Sequence, residues 1–319
     1  MMTTEELVKH YGGVTKAAIA TGTPRTTLQS RLEQEKVGVN RTTSVVVPCA
    51  VPAPIKLAKM RPSVHAAKHF ILPDPQCRPG VPLDHMRWAG LYCANRKPTK
   101  VINLGDHWDM PSLCSYDKGK RAAENMRYMI DIKAGNKGME LFMEPIAEEL
   151  EACWKRGEEW SPEFHLTFGN HDWRAERAAD DQPELEGLVG YASFDTTGWI
   201  TYPFLEVAMI DGIAYSHYFT SGTMGRPVTT ARALLTKKHQ SCVMGHVQRY
   251  ETAMDYNAEG KRITGLFAGC FYQHEDGYRD TQSNIATWRG VHVLYGVNDG
   301  EFTHNAVDLP YLKDRFGGK

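Results

Sequence analysis

The chain has no excess of charge of either sign. Lys and Arg number 37 against 38 Asp and Glu, a formal charge of -1, so contact with nucleic acid must come from local basic patches rather than a global field. Nor has it a hydrophobic run long enough to span a bilayer: the most apolar stretch, Ser44 to Ile55, is short and carries three prolines. The opening Met-Met-Thr-Thr-Glu-Glu lacks the basic and apolar regions of a secretory signal. Cysteine is sparse and unpaired. The seven residues Cys49, Cys77, Cys93, Cys114, Cys153, Cys242 and Cys270 are scattered, odd in number and without a CxxC pair, so reduced thiols, a cytoplasmic location and no membrane association are expected. What remains is 319 residues with 42% hydrophobic content, enough for one large domain and a small one.

Residues 4 to 35 read as three short helices. Leu7, Val8 and Tyr11 lie at helical spacing, Gly12-Gly13 breaks the first helix, and Thr15 to Thr21 carries Ala17, Ala18 and Ile19. After Gly22, Thr23-Pro24 supplies an N-cap and a first-turn proline, with Leu28 and Leu32 as an apolar stripe. A small-residue helix, a glycine turn and a capped helix exposing Arg25, Thr26, Gln29 and Arg31 resemble the helix-turn-helix of bacterial DNA-binding proteins. A small bundle for protein contacts is the alternative. From Lys36 to Pro73 there is no Asp or Glu, while Lys36, Arg41, Lys56, Lys59, Arg61 and Lys68 are basic and prolines at 48, 52, 54 and 62 preclude regular helix. Residues 36–66 therefore read as a basic linker, suited to phosphate contacts or serving only as a solvated tether. The domains expected are 1–35, the linker, and 67–319.

Beyond the linker, strand-like and helix-like segments alternate. Strands are expected at His69–Leu72, Val101–Leu104, Phe164–Phe168, Phe204–Ile210, Ile213–Ser216, Cys242–Met244, 249–256, 262–267 and 290–297. Helices are expected at 83–95, from about Ala122 to Lys155 with an interruption near Gly135-Asn136-Lys137-Gly138, and at Ala231–His239. This is the pattern of a layered α/β domain whose site lies at the carboxyl ends of strands.

Four of those ends carry polar clusters in order: Asp74-Pro-Gln76, Gly105-Asp106-x-x-Asp109, Gly169-Asn170-His171-Asp172 and Gly245-His246-Val-Gln248, with His217 between the last two. Singly, each is an ordinary turn. Together they resemble the calcineurin-like metallophosphoesterases, over roughly residues 68 to 297. The resemblance implies a four-layer α/β/β/α sandwich of two mixed sheets flanked by helices, beside the small N-terminal three-helix unit, with two divalent ions between the sheets. Asp106 would bridge the ions; Asp74, Gln76 and Gln248 would face the first; Asn170, His217 and His246 would complete the second. His171 would bind the phosphate and protonate the leaving oxygen, with Asp172 or Asp109 orienting it. Arg174 and Arg249 are candidates for phosphate contact, whereas Arg177 reads as a helix-surface ion-pairing residue. Two ions bridged by a carboxylate, about 3.5 to 4 Å apart, can activate water and clamp the phosphate for in-line displacement. The run Gly169-Asn-His-Asp-x-Arg-x-x-Arg, Pro183-Glu184-Leu185 and His217-x-x-x-Ser221 also resemble phosphoesterases found in bacteriophage genomes.

Gln76 and Gln248 depart from the family pattern, which has histidine at both positions. Both departures fall on the first ion. The amide oxygen is neutral but harder than imidazole nitrogen, which favours Mn²⁺ first, with Mg²⁺, Fe or Zn²⁺ as alternatives, and a first site of lower affinity. A mononuclear enzyme and a non-catalytic platform are the corresponding alternatives. His107, next to Asp106, is expected to point away from the site. The leading expectation is a phosphodiesterase acting on nucleic acid; a phosphomonoesterase or protein phosphatase, and a non-catalytic DNA-binding protein, are the rivals.

Overall fold

The computed structural model describes residues 2–36, 67–115, 124–275, 282 and 286–318. The chain divides into two compact units, Met1–Arg61 and Pro62–Lys319. Beyond Lys36, the basic linker expected over 36–66 lies outside the described residues, as does Cys49.

The first unit contains α1 (Thr4–His10), α2 (Val14–Thr21) and α3 (Arg25–Lys36). Thr3 caps α1 by accepting from Glu6 N, and the Glu6 carboxylate returns to Thr3 N at 2.9 Å, a reciprocal pairing that satisfies two backbone donors. Glu35 near the end of α3 accepts from Thr4 N and Glu5 N at 3.0 Å each, tying the two helices together. Ala17 of α2 and Leu28 of α3 are buried. One boundary differs from expectation: the Pro24 carbonyl accepts from Leu28 N, so Pro24 rather than Thr23 occupies the cap position and α3 starts at Arg25.

The second unit is a mixed α/β structure with two mixed sheets. The six-stranded sheet has the order β11-β10-β1-β2-β3-β4, from β1 (Ala67–Leu72), β2 (Lys100–Asn103), β3 (Glu163–Thr167), β4 (Trp199–Tyr202), β10 (Gly290–Asn298) and β11 (Glu301–Asp308). The five-stranded sheet has the order β5-β6-β7-β9-β8, from β5 (Ala208–Ile210), β6 (Ile213–Tyr215), β7 (Cys242–Met244), β8 (Tyr250–Tyr256) and β9 (Arg262–Ala268). Strands β1 to β4 run parallel, as do β6, β7 and β9. Their carboxyl ends therefore emerge together within each sheet, which is where the polar clusters lie.

Three apolar cores hold these elements. Ile71, Ile102 and Leu104 of the first sheet pack with Ile213, Tyr215, Val243 and Leu266 of the second. Phe70, Leu72 and Val101 pack on the other face of the first sheet against α4 (Asp84–Arg96) and α5 (Tyr128–Arg156). Ala214, Cys242, Met244 and Phe267 pack against α7 (Ala231–Lys238). Two further α-helices are α6 (Arg174–Asp181) and α8 (Leu309–Phe316). Among the described residues, no helix is long and apolar enough to cross a membrane.

Helix α5 runs unbroken through Gly135 and Gly138, where an interruption was expected. A Cβ at Gly135 would overlap the Trp108 indole and one at Gly138 would overlap Cys77. These glycines mark close packing, not a break. Residues 204–207, expected in a strand, form a turn before β5; β4, β11 and α8 were not expected. Gly105, Gly169 and Gly245 permit the closest approach at the strand ends: a Cβ at Gly169 would overlap Asp106, and one at Gly245 would overlap Asp74.

Candidate metal centre

Each parallel strand delivers its side chains through a backbone that turns sharply at once. Five expected ligands have left-handed backbone angles without being glycine: Asp74 (φ 37°), Gln76 (φ 43°), Asp106 (φ 49°), His246 (φ 63°) and Gln248 (φ 60°). Such a conformation is costly for a residue with a Cβ and is held only where surrounding contacts dictate it. Those contacts are present. Gln76 N donates to Asp106 O at 2.8 Å, joining the β1 and β2 loops. Across the sheets, the Asp74 carboxylate accepts from His246 N at 2.9 Å; within the first sheet, Asp106 Oδ1 accepts from His171 N at 2.7 Å, joining the β2 and β3 loops.

His217 fixes the orientation of the centre. Its Nδ1 donates to Leu104 O at 2.8 Å, which leaves Nε2 as the atom facing the cluster. There it meets Asn170 Oδ1 at 3.0 Å, Asp106 Oδ2 at 3.3 Å and His246 Nδ1 at 3.3 Å; His246 Nδ1 in turn lies 2.7 Å from Asn170 Oδ1. Two oxygens that only accept and two imidazole nitrogens converge on one point. A cation is the natural partner of such a set, and protonation of imidazole is the substitute. Burial disfavours a charged His217, but Asp106 and Asp74 outweigh it and push its pKa to about 9. Asp74 moves the other way for a carboxylate, up to about 7, because it is fully buried beside Asp106, with His217 opposing the rise. Burial would also raise Asp106, yet His171 and His217 hold it well below the usual carboxylate range. Asp106, His217 and His246 place one donor atom each within 4.8 Å of one another. The donor set fits a divalent cation.

The first-ion residues fit less completely. Gln76 is 1% exposed, and neither its Oε1 nor its Nε2 has a hydrogen-bond partner. An orphaned amide in that position suits a carbonyl-oxygen ligand. Gln248 Oε1 instead accepts from Tyr272 OH at 2.9 Å. Carbonyl oxygen retains a second lone pair, so this bond orients the amide without exhausting it.

No protein-family model and no curated protein matches the chain.

Of the two carboxylates expected to orient His171, Asp172 and Asp109, one reaches the ring. His171 Nδ1 lies 2.5 Å from Asp109 Oδ1, with its Nε2 3.8 Å from Asp106 Oδ2, so Asp109 is the carboxylate that orients the ring. Asp172 accepts from Gly169 N at 2.7 Å and Trp108 N at 2.8 Å. It braces the β2 and β3 loops against each other, and both of its oxygens are engaged there rather than on His171. Arg174, on α6, donates to Asp109 O at 2.8 Å and stands beside the His171–Asp109 pair. Arg249 is corrected: its guanidinium engages Glu251 at 2.9 Å and the Thr229 carbonyl, both outside the cluster. Arg177 donates to Leu113 O at 3.3 Å rather than bridging surface acids as expected. His107 does point away, to Gly135 O at 2.9 Å and Asn103 at 3.1 Å. In the first unit, Arg25, Thr26, Gln29 and Arg31 are exposed on α3.

Sequence reasoning missed two residues. Arg78, two positions past Gln76, reaches Asp109 Oδ2 at 3.4 Å; its place in the run Asp74-Pro-Gln-Cys-Arg was the available signal. Tyr272 follows β9, the third parallel strand of its sheet, and its position at a strand end was a signal as well.

Proposed function

We propose that the chain is a metal-dependent phosphoesterase of the calcineurin-like type, acting as a phosphodiesterase on nucleic acid. The observation that carries this reading is the convergence of Asn170 Oδ1, Asp106 Oδ2 and His246 Nδ1 on His217 Nε2, within 3.3 Å. The core between the sheets and the helices packed outside each sheet support the four-layer α/β/β/α sandwich.

In this reading Asp106, Asn170, His217 and His246 would hold one cation, and Asp74, Gln76, Asp106 and Gln248 would hold the other, more weakly. Bound divalent cations supply Lewis acidity and a nucleophile at neutral pH. The protein's own groups do the rest. Burial would discharge His171, but Asp106 and Asp109 outweigh burial and Arg174, so its pKa is raised. With Nδ1 committed to Asp109, Nε2 is the nitrogen placed to give a proton to a departing oxygen. Arg78 and Arg174 hold Asp109 from two sides, and together with His171 form the positive flank that a phosphate would meet.

Nucleic acid is preferred as substrate because the same chain carries the exposed Arg25, Thr26, Gln29 and Arg31 on a capped three-helix unit, a set suited to duplex contact. The deciding test is a panel of Mg²⁺, Mn²⁺, Ni²⁺ and Zn²⁺ against a bis-aryl phosphate, an aryl monoester and defined DNA and RNA oligonucleotides. Hydrolysis of diesters with Mn²⁺, lost in EDTA, is the expected result. Faster turnover of the monoester would transfer the site to a phosphomonoesterase, and silence with every metal would leave a binding protein. A full-length Arg25→Ala, Arg31→Ala variant with undiminished, salt-sensitive duplex binding would remove the helix-turn-helix role.

A further inference from the structure

Beside the metal cluster lies a row of aromatic rings that the hydrolytic chemistry does not use. Trp173 and Phe204 stack with centroids 5.4 Å apart and planes at 23°. Phe204 meets Tyr218 edge-on at 5.6 Å, and Tyr218 meets the candidate ligand His246 at 4.6 Å. Trp173 is fixed to the catalytic loop by its N–H to Gly169 O at 2.9 Å, two residues past His171, and Tyr218 directly follows His217. Phe204 comes from the turn between β4 and β5, so three separate segments contribute one ring each.

Core packing does not account for the row. Trp173 and Phe204 belong to none of the three apolar cores, and Tyr218 only flanks the third. All three keep part of their surface exposed. The Arg177 guanidinium stands 5.8 Å from the Trp173 ring centroid, adding positive charge at the outer end. Partly exposed aromatic rings with a nearby cation, beside a proposed phosphate-handling centre, suit stacking of bases next to a bound backbone.

We infer that Trp173, Phe204 and Tyr218 form a stacking platform for an unpaired nucleobase next to the scissile phosphate, so that the site prefers single-stranded nucleic acid; this rests on the phosphoesterase reading. A paired base keeps its faces against its neighbours in the duplex and offers none to the row. The row runs over four rings counting His246, longer than one aryl group, which favours a polynucleotide over a phosphotyrosine side chain.

The test measures binding by fluorescence anisotropy of the full chain in EDTA, where turnover is absent. The probes are a short labelled single-stranded oligonucleotide, its abasic counterpart, the duplex and a phosphotyrosine peptide. Wild type is expected to bind the base-bearing strand better than the abasic strand or the peptide, and a full-length Arg25→Ala, Arg31→Ala variant, which lacks the duplex contacts proposed for α3, is expected to bind it better than the duplex. Trp173→Ala and Tyr218→Ala should each weaken that binding about fivefold or more, leaving the abasic strand unchanged, while Trp173→Phe retains most of it. Equal binding of abasic and base-bearing strands by wild type overturns the platform, and this comparison needs no variant to fold. Tighter binding of the peptide by wild type, or of the duplex by the Arg25→Ala, Arg31→Ala variant, overturns it too, as do alanine variants of unchanged melting temperature that bind like wild type. Mn²⁺-dependent hydrolysis of a bis-aryl phosphate is followed in parallel. Hydrolysis without base preference removes the platform alone, whereas no hydrolysis with any metal removes the phosphoesterase reading and the scissile phosphate with it.

Discussion

Asp109 Oδ1 lies 2.5 Å from His171 Nδ1, while the other oxygen of the same carboxylate faces Arg78 at 3.4 Å. The pair fixes which imidazole nitrogen can reach a substrate. If Nε2 protonates the leaving oxygen, the effect of losing it depends on how poor the leaving group is. His171→Gln should lower kcat roughly 10²- to 10⁴-fold on an alkyl or nucleotide diester and far less on a nitrophenyl ester, whose leaving group needs no proton. Asp109→Asn should follow the same pattern with a smaller loss. Steady-state rates on the two substrates decide it: equal losses on both would mean that His171 binds phosphate without donating a proton.

How much of this was legible depended on the type of signal. Asp74, Asp106, Asn170, His217 and His246 were readable because each follows a short apolar run that ends at its cluster, and a parallel strand buried on both faces leaves that mark in sequence. The role of Asp172 was not readable. Adjacent residues on a tight loop point in different directions, and only the loop geometry sends Asp172 to Gly169 N and Trp108 N while Asp109 reaches the ring. Strand β11 escaped because its two buried apolar residues, Phe302 and Val307, lie on opposite faces and in different cores, with His304 and Ala306 only half-buried, a weak apolar pattern. Helix α8 did carry a readable start, with Asp308 accepting from Tyr311 N at 3.0 Å and Pro310 in the first turn. The misread glycines of α5 show the limit of local rules, since helix propensity there yields to tertiary contact.

Gly135 offers a direct measure of that contact. By propensity alone, Gly135→Ala in a helix interior should stabilise by about 1 kcal/mol. The added Cβ, however, would overlap Trp108, which is fully buried, stacked on Phe194 at 4.3 Å and hydrogen-bonded through its indole to Asn136 at 2.9 Å. Overpacking of this kind costs roughly 1–3 kcal/mol or more, so the net effect should be destabilising. Urea unfolding of Gly135→Ala decides the sign, and a more stable variant would mean that Trp108 can move.

Buried histidines away from the centre set an acid limit. His85 and His292 are fully buried, and burial lowers both pKa values from 6.5 to about 3, with a neighbouring histidine adding to the effect in each case. The unfolded chain takes up protons below about pH 6.5 that the folded chain refuses. Their contribution is therefore fully retained above that pH and lost as pH falls from 6.5 towards 3, at up to about 1.4 kcal/mol per pH unit for each group. Asp74 and Asp172, raised to about 7 chiefly by burial, act in the opposite direction over pH 7 to 4. The difference between wild type and His292→Leu isolates the histidine: the variant should lose less stability between pH 7 and 5. Parallel denaturation curves across that range would contradict a neutral His292.

Gln76 is where stability and metal binding should part. Its amide is buried with both polar atoms unpartnered, a penalty of about 1–3 kcal/mol in the metal-free protein. Gln76→Met has similar volume and no amide to satisfy, so in EDTA it should be more stable than wild type by about that amount. Adding Mn²⁺ should then raise the melting temperature of wild type more than that of the variant, because a cation that binds only the folded state stabilises it in proportion to its affinity. The Gln76→His, Gln248→His double variant should move preference from Mn²⁺ towards Zn²⁺, since imidazole nitrogen is the softer donor. Calorimetric titration with both metals reads this directly. If the double variant keeps the affinities and preference of wild type, neither glutamine is a ligand, and the orphaned amide of Gln76 needs a different partner.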